Sequence, residues 1–168
     1  MVIENSTITE NEASSLGGGI AAHLDSGSGV VVVELRNTVV ADNHEQDGIV
    51  VGNCIVTAPA FLTSSGFNLA DDLTCDLVHG NDLIVADAML GPLGNNGGPT
   101  ATHSPLPGSP VIDSGDDTGC PDTDQRGIPR PWDGDDDGFS RCDRGAVEAG
   151  FTDSFESGDT SAWSSAVP

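Results

Sequence analysis

The chain predicts an all-β fold: a parallel β-helix of about three coils, an irregular cap and a flexible tail. Three observations carry that expectation. The first ninety residues repeat with a period of about 30. The composition favours short strands and tight turns. No apolar period of about 3.6 residues, the mark of an amphipathic helix, is visible.

The repeat is the most direct of the three. Asn5-Ser6-Thr7-Ile8-Thr9-Glu10-Asn11 returns as Asn37-Thr38-Val39-Val40-Ala41-Asp42-Asn43, 32 residues on. A looser third copy, Phe67-Asn68-Leu69-Ala70-Asp71-Asp72, places Leu69 after Val40 by 29. Gly17-Gly18-Gly19-Ile20 and the run from Val30 to Leu35 separate the first two copies. Gly48-Ile49-Val50-Val51 and Cys54-Ile55-Val56 separate the second from the third. Each repeat therefore reads as three short strands between Gly, Asn or Asp turns. Stacked coils would sit about 4.8 Å apart. Thr7, Val39, Val31 and Val33 are expected to fill the interior, with Asn5 and Asn37 at one corner, where amides stack and tolerate left-handed backbone. The alternative is an antiparallel sandwich of hairpins, but Asp47-Gly48 is the only hairpin signal in this half. Three coils are close to the minimum for a stable stack, and the first would leave unpaired backbone at its edge. Further coils are accordingly expected before Met1, making the chain N-terminally truncated.

Composition supports the same picture. Aromatics make up 4% of the chain, with no tyrosine, beside 22 Gly and 10 Pro. Asp and Glu number 27 against five basic residues, all arginine, and the net charge of −22 excludes a nucleic-acid footprint and attraction to anionic lipid. High acidity suits an extracellular protein that meets salt or divalent cations, although solubility alone would explain it. No apolar run reaches membrane-spanning length. Val2 and Ile3 run directly into Glu4 and Asn5, so Met1 does not open an export signal. An exported type of chain without a leader is again expected to be a fragment.

The four cysteines fall into two near pairs, Cys54 with Cys75 and Cys120 with Cys142, with no Cys-x-x-Cys and no histidine at ligand spacing. Two local disulfides formed in an oxidising compartment are expected, rather than a zinc site. Four cysteines allow three pairings, and the sequential one is favoured because each pair lies within one unit. Residues 1–90 are assigned to coils, 91–150 to the cap and 151–168 to the tail, where Phe151, Phe155 and Trp163 stand among Ser, Asp, Gly and Thr.

The segment from Gly91 to Glu148 carries Asn96-Gly97-Gly98-Pro99-Thr100, then Thr102-His103, and Pro107-Gly108-Ser109-Pro110-Val111-Ile112-Asp113-Ser114-Gly115. It continues with Thr123-Asp124-Gln125-Arg126-Gly127-Ile128-Pro129-Arg130-Pro131 and Cys142-Asp143-Arg144-Gly145-Ala146-Val147-Glu148. In these ordered matches it resembles the choice-of-anchor Q domain at the C-terminal end of bacterial right-handed parallel β-helix proteins. The resemblance covers about a third of the chain and implies a right-handed parallel β-helix upstream. It also implies a sorting or anchoring element downstream, and Asp153-Ser154-Phe155-Glu156-Ser157-Gly158-Asp159 is similar to tails of exported proteobacterial proteins. It supplies no catalytic residue. A location outside the cell or on a bacterial cell surface follows from it as an expectation.

Asp133-Gly134-Asp135-Asp136-Asp137-Gly138 fits the first half of a calcium loop, with carboxylates converging from Asp133, Asp135 and Asp137 and a glycine for the sharp turn. The twelfth position is Arg144, where a bidentate Glu is needed, so a complete helix-loop-helix site is excluded. Asp143 or Glu148 would have to complete the shell. The alternative is a solvated acidic turn without an ion. Arg126 and Arg130 are expected to form structural ion pairs with Asp113, Asp124 or the acidic loop. Trp132 is read as packing rather than a sugar platform, and His103 as a hydrogen-bonded turn residue rather than a base.

For catalysis the sequence offers little. No pair of carboxylates is set apart for glycoside hydrolysis, no lysine serves lyase chemistry, and no nucleophile motif occurs. The functional expectation is a noncatalytic terminal module of an exported β-helix protein, with the upstream coils as its partner. The alternatives are the end of a carbohydrate-active β-helix enzyme, or an adhesin binding surface glycan or protein.

Overall fold

A computed structural model describes residues 1–14, 17–24, 26–45 and 50–150, with the backbone alone at Val50 and Val51. The expected tail and the Asp47-Gly48 hairpin signal lie outside these residues. Twelve short strands and one 3-10 turn, Asp117–Gly119, make up the regular structure, so the described chain is all-β.

The chain lays down strands in three successive passes. The first contains β1 (Val2–Glu4), β2 (Thr7–Thr9), β3 (Glu12–Ala13) and β4 (Ile20–Ala22). The second contains β5 (Val31–Arg36), β6 (Val39–Ala41), β7 (His44–Glu45), β8 (Val50–Val51) and β9 (Cys54–Val56). The third contains β10 (Ala60–Ser64), β11 (Leu69–Ala70) and β12 (Leu83–Ile84). Strands from different passes lie side by side and parallel, giving sheets in the orders β1-β5-β10, β12-β11-β6-β2 and β4-β9. Strand β3 also pairs parallel with β7, and only the short β7–β8 contact among named strands is antiparallel.

The register follows the sequence repeat in the first two passes. Ile3 lies opposite Leu35, and Ile8 opposite Val40. At the third pass it differs by one residue: Leu69 lies opposite Val39, and Ala70 opposite Val40. Aligning Leu69 with Val40 is therefore corrected. Because side chains alternate across a strand, the slip moves Leu69 to the opposite face.

Alternation divides the core into two clusters. Val33, Leu35, Val40, Ala60 and Cys54 are buried between the sheets, with Ile3, Ile8 and Val31 packed against them. Val39, Ala41 and Leu69 point the other way and pack on Ala88 and Val111. Val39 thus belongs to the outer cluster and not to the interior where the sequence placed it. Its opposite number Thr7 accepts a hydrogen bond from the Ala146 N–H of the C-terminal segment at 3.0 Å. Full burial of Val39, Leu69 and Val111 stabilises the chain by about 1.5–3 kcal/mol per side chain.

Residues of the 91–150 segment accordingly pack on the outward face of the β2–β6–β11–β12 sheet. They reach all three passes. Ala146 bonds Thr7, Gly145 N–H donates to Asn37 O at 2.9 Å, and Arg144 donates to Asn68 O at 2.8 Å. The close approach needs glycine at 145, where φ is +90° and a Cβ would lie 2.6 Å from Thr7 Oγ1.

Asparagine ladders hold two corners. Asn5 and Asn37 adopt left-handed φ values of 46° and 47°, and Asn37 Nδ2 donates to Asn5 Oδ1 at 2.7 Å. At the next corner Asn11 Nδ2 donates to Asn43 Oδ1 at 2.9 Å, and Asn43 Nδ2 to Asn53 Oδ1 at 2.8 Å. Fully buried amides are tolerable here because each finds a partner. Disulfides join Cys54 to Cys75 and Cys120 to Cys142, leaving no free cysteine and indicating an oxidising compartment. Among the described residues no helix is long and apolar enough to cross a membrane.

Candidate functional site

The acidic loop and the buried charges beneath it form the most chemically distinctive part of the chain. Asp113, Asp133 and Asp135 offer carboxylate oxygens within 4.8 Å of one another, a group that can hold a metal ion. Asp113 comes from the turn after Val111, with φ at 49°. Its Oδ2 accepts the N–H groups of Gly134 at 2.8 Å and Asp135 at 3.1 Å, and its Oδ1 that of Arg141 at 3.0 Å. These bonds close the loop onto the turn. Asp133 Oδ2 accepts from Gly138 N–H at 2.9 Å, while its Oδ1 is shut off from solvent and has no hydrogen-bond partner.

This trio differs from the set expected on loop spacing. Asp137 Oδ1 accepts the Phe139 N–H at 2.8 Å. Asp143 is fully buried, accepting the Asp113 N–H at 2.7 Å through Oδ1 and the Ala149 N–H through Oδ2. Neither joins the trio, and Asp113 does. The sequence missed Asp113 as a ligand because it lies 20 residues upstream of Asp133, outside any linear motif.

The arginines are paired, with partners distributed differently from the expectation. Arg126 meets Asp124 at 2.8 Å, both side chains being almost wholly buried. Arg130 lies 3.0 Å from Glu148 and donates to Gly145 O at 2.9 Å. Glu148 also accepts the Trp132 N–H at 3.0 Å and the Asp143 N–H at 3.2 Å. Asp113 pairs with no arginine side chain among the described residues; its oxygens accept the backbone N–H groups of Gly134, Asp135 and Arg141. A further pair, Arg36 with Asp116, ties β5 to the C-terminal segment.

Burial sets the protonation of this network. It raises Asp143 to about 7, helped by the neighbouring charge of Glu148. Burial also raises Glu148, against the Trp132 N–H and Arg130. For Asp124 burial pushes upward too, but the Glu148 N–H and the Arg126 guanidinium outweigh it and hold the group low. Two neighbouring carboxyls with raised pKa resemble an acid–base pair only on paper. Asp143 and Glu148 are both wholly inaccessible, so no substrate reaches them.

The remaining candidates lie outside this buried pair. His103 Nδ1 lies 2.8 Å from Gly91 O, as befits a turn residue. Trp132 is 48% exposed and lies beside Gly150. Arg144, absent from the expected ion pairs, is buried and donates to Asn68 O, Asn81 O and Ser114 Oγ.

Comparison with protein-family models, with curated proteins and with solved structures found no match.

Proposed function

We propose that the chain is a noncatalytic terminal module of an exported or cell-surface protein. In this reading its passes are the last coils of a right-handed parallel β-helix, and residues 91–150 are a choice-of-anchor Q-like segment that fastens them. Residues 151–168 are a sorting tail. The observation that carries the reading is the parallel pairing of strands at the 32-residue spacing of the repeat, as in Ile3 with Leu35. The two disulfides fit an exported chain. Burial of the acid pair supports a noncatalytic role.

The test is retention. Behind an export signal in a bacterial host, the intact chain is expected to stay with the cell envelope. A variant ending at Gly150 is expected in the medium. Equal release of both would overturn the reading, and turnover of an acidic polysaccharide by the purified chain would replace it with an enzyme end.

The same reading includes a calcium ion held by Asp113, Asp133 and Asp135. It is favoured by the enclosed Asp133 Oδ1, an oxygen that lacks a donor. Hard carboxylate oxygens suit calcium. Calcium at about 100 times its dissociation constant is expected to raise the melting midpoint by roughly 5–10 °C over chelator. Identical midpoints would remove the ion from the proposal.

A further inference from the structure

The two disulfides are not chemically equivalent. Cys54 and Cys75 are 4% and 1% exposed, so the bond between them is sealed on both sides. The bond from Cys120 to Cys142 is lopsided. Cys142 is wholly buried, whereas Cys120 is partly exposed, in a turn whose neighbours Asp117, Thr118 and Pro121 face solvent.

The buried sulfur also has a cationic partner. Each nitrogen of the Arg130 guanidinium meets a different acceptor. Nε lies 3.0 Å from Glu148 Oε2, Nη2 donates to Gly145 O at 2.9 Å, and Nη1 donates to Cys142 Sγ at 3.5 Å. A thiolate at Cys142 would turn this last contact into a charge-assisted hydrogen bond. Cysteines beside arginine ionise more readily, and a sulfur that ionises readily leaves faster from a disulfide. Two carboxylates work against that charge. Glu148 is itself paired with the guanidinium, and Asp117, whose Oδ1 accepts the Cys142 N–H at 2.8 Å, is exposed to water, which weakens its field.

Neither end of the bond relies on it for its place. Arg36 with Asp116 at 2.5 Å, and Asn5 Nδ2 with Gly119 O at 3.3 Å, hold the turn before Cys120 against the first two passes. Cys142 O accepts the Gly115 N–H at 2.7 Å. Breaking the bond therefore frees Cys120 locally and leaves its surroundings anchored.

We propose that Cys120 is a modification site for small thiols, the Cys120–Cys142 bond being exchangeable and the Cys54–Cys75 bond structural. The thiolate of an added thiol attacks Cys120 Sγ. A bond forms between those two sulfurs as the bond to Cys142 breaks, and the electron pair leaves on Cys142 Sγ beside Arg130. A second thiol attacking the mixed disulfide releases Cys120. The chain then holds two thiols, protonated at the expense of the added pair, which departs as a disulfide. The opposite polarity would require attack on the sulfur of Cys142, which is sealed from solvent.

The test adds reduced glutathione to the intact folded chain at neutral pH, quenches with N-ethylmaleimide and maps the labelled peptides by mass. Glutathione is expected on Cys120 and maleimide on Cys142, on the order of tenfold or more faster than any label on Cys54 or Cys75. Equal rates for the two bonds, faster labelling of Cys54 and Cys75, or glutathione on Cys142 would each overturn the proposal. Replacing Arg130 by glutamine, in a sample with the parent's circular dichroism, is expected to slow the exchange about tenfold, and replacing it by lysine less so. An unchanged rate in the folded glutamine variant would remove Arg130 from the leaving-group role. Should that variant not fold, the rate ratio and the adduct position in the parent chain still decide.

Discussion

Replacing Arg144 by methionine is expected to destabilise the chain by about 1.5–3 kcal/mol, read as a lower urea midpoint at unchanged m-value. Methionine keeps the apolar stem and removes only the fork. That fork donates to Asn68 O at 2.8 Å, Asn81 O at 2.9 Å and Ser114 Oγ at 2.9 Å. The first two carbonyls belong to the third pass and the hydroxyl to the covering segment, so one side chain fastens both. Burial lowers the guanidinium pKa to about 10, which still leaves it cationic at neutral pH. Removing it takes a donor from Asn81 O and Ser114 Oγ and leaves Asn68 O with the Leu83 N–H alone. Lysine at 144 keeps the charge but cannot span three acceptors in one plane, so an intermediate loss is expected. A loss below about 1 kcal/mol for the methionine variant would show that Arg144 fastens nothing.

The melting midpoint is expected to rise as the pH falls from 8 to 5, the reverse of the usual acid sensitivity. Burial and the charge of Glu148 raise Asp143 to about 7, whereas an unfolded aspartate titrates near about 3.9. Between those values the folded chain keeps a proton that the unfolded chain has released, so stability declines as pH increases through the window. For this one group the change from pH 5 to pH 8 is about 2–3 kcal/mol. Glu148, also raised, acts with the same sign. Asp116 and Asp124 are lowered and act with the opposite sign, but only below the ordinary carboxylate range. Asparagine at 143 is expected to flatten most of the slope between pH 5 and pH 8 in calorimetry. A wild-type midpoint that stays level or climbs toward pH 8 would refute the assignment.

The legible part of the fold was the part written locally. Asn5 and Asn37 recur in similar surroundings, and their spacing is the pairing distance of β2 with β6. The third pass was read one residue out because Phe67 stands where the earlier copies have asparagine. With the anchoring residue gone, only a two-residue strand was left to align. The course of residues 91–150 was not legible at all. Thr7, Val39 and Leu69 look like ordinary alternating strand residues, and nothing in their order tells an interior face from one covered by a segment a hundred residues away. The acidic loop was seen and its third member missed for the same reason. Asp113 reaches it through the fold and not through the motif. Arg144 was noticed only as a misfit at the twelfth loop position, while its three acceptors are scattered across the chain.

The covering segment also changes what kind of object the repeat is. A row of repeats that touch only their neighbours unfolds piecemeal, each unit contributing its own term. Here the hydrogen bond from Ala146 to Thr7 closes a loop of 139 residues, and neighbouring bonds clasp the second and third passes on the way. The last described residues therefore complete the first strands. During synthesis the passes would stand without their outer layer until Ala146 had emerged. Once closed, they would gain and lose structure together, as a bound book does and a stack of loose sheets does not.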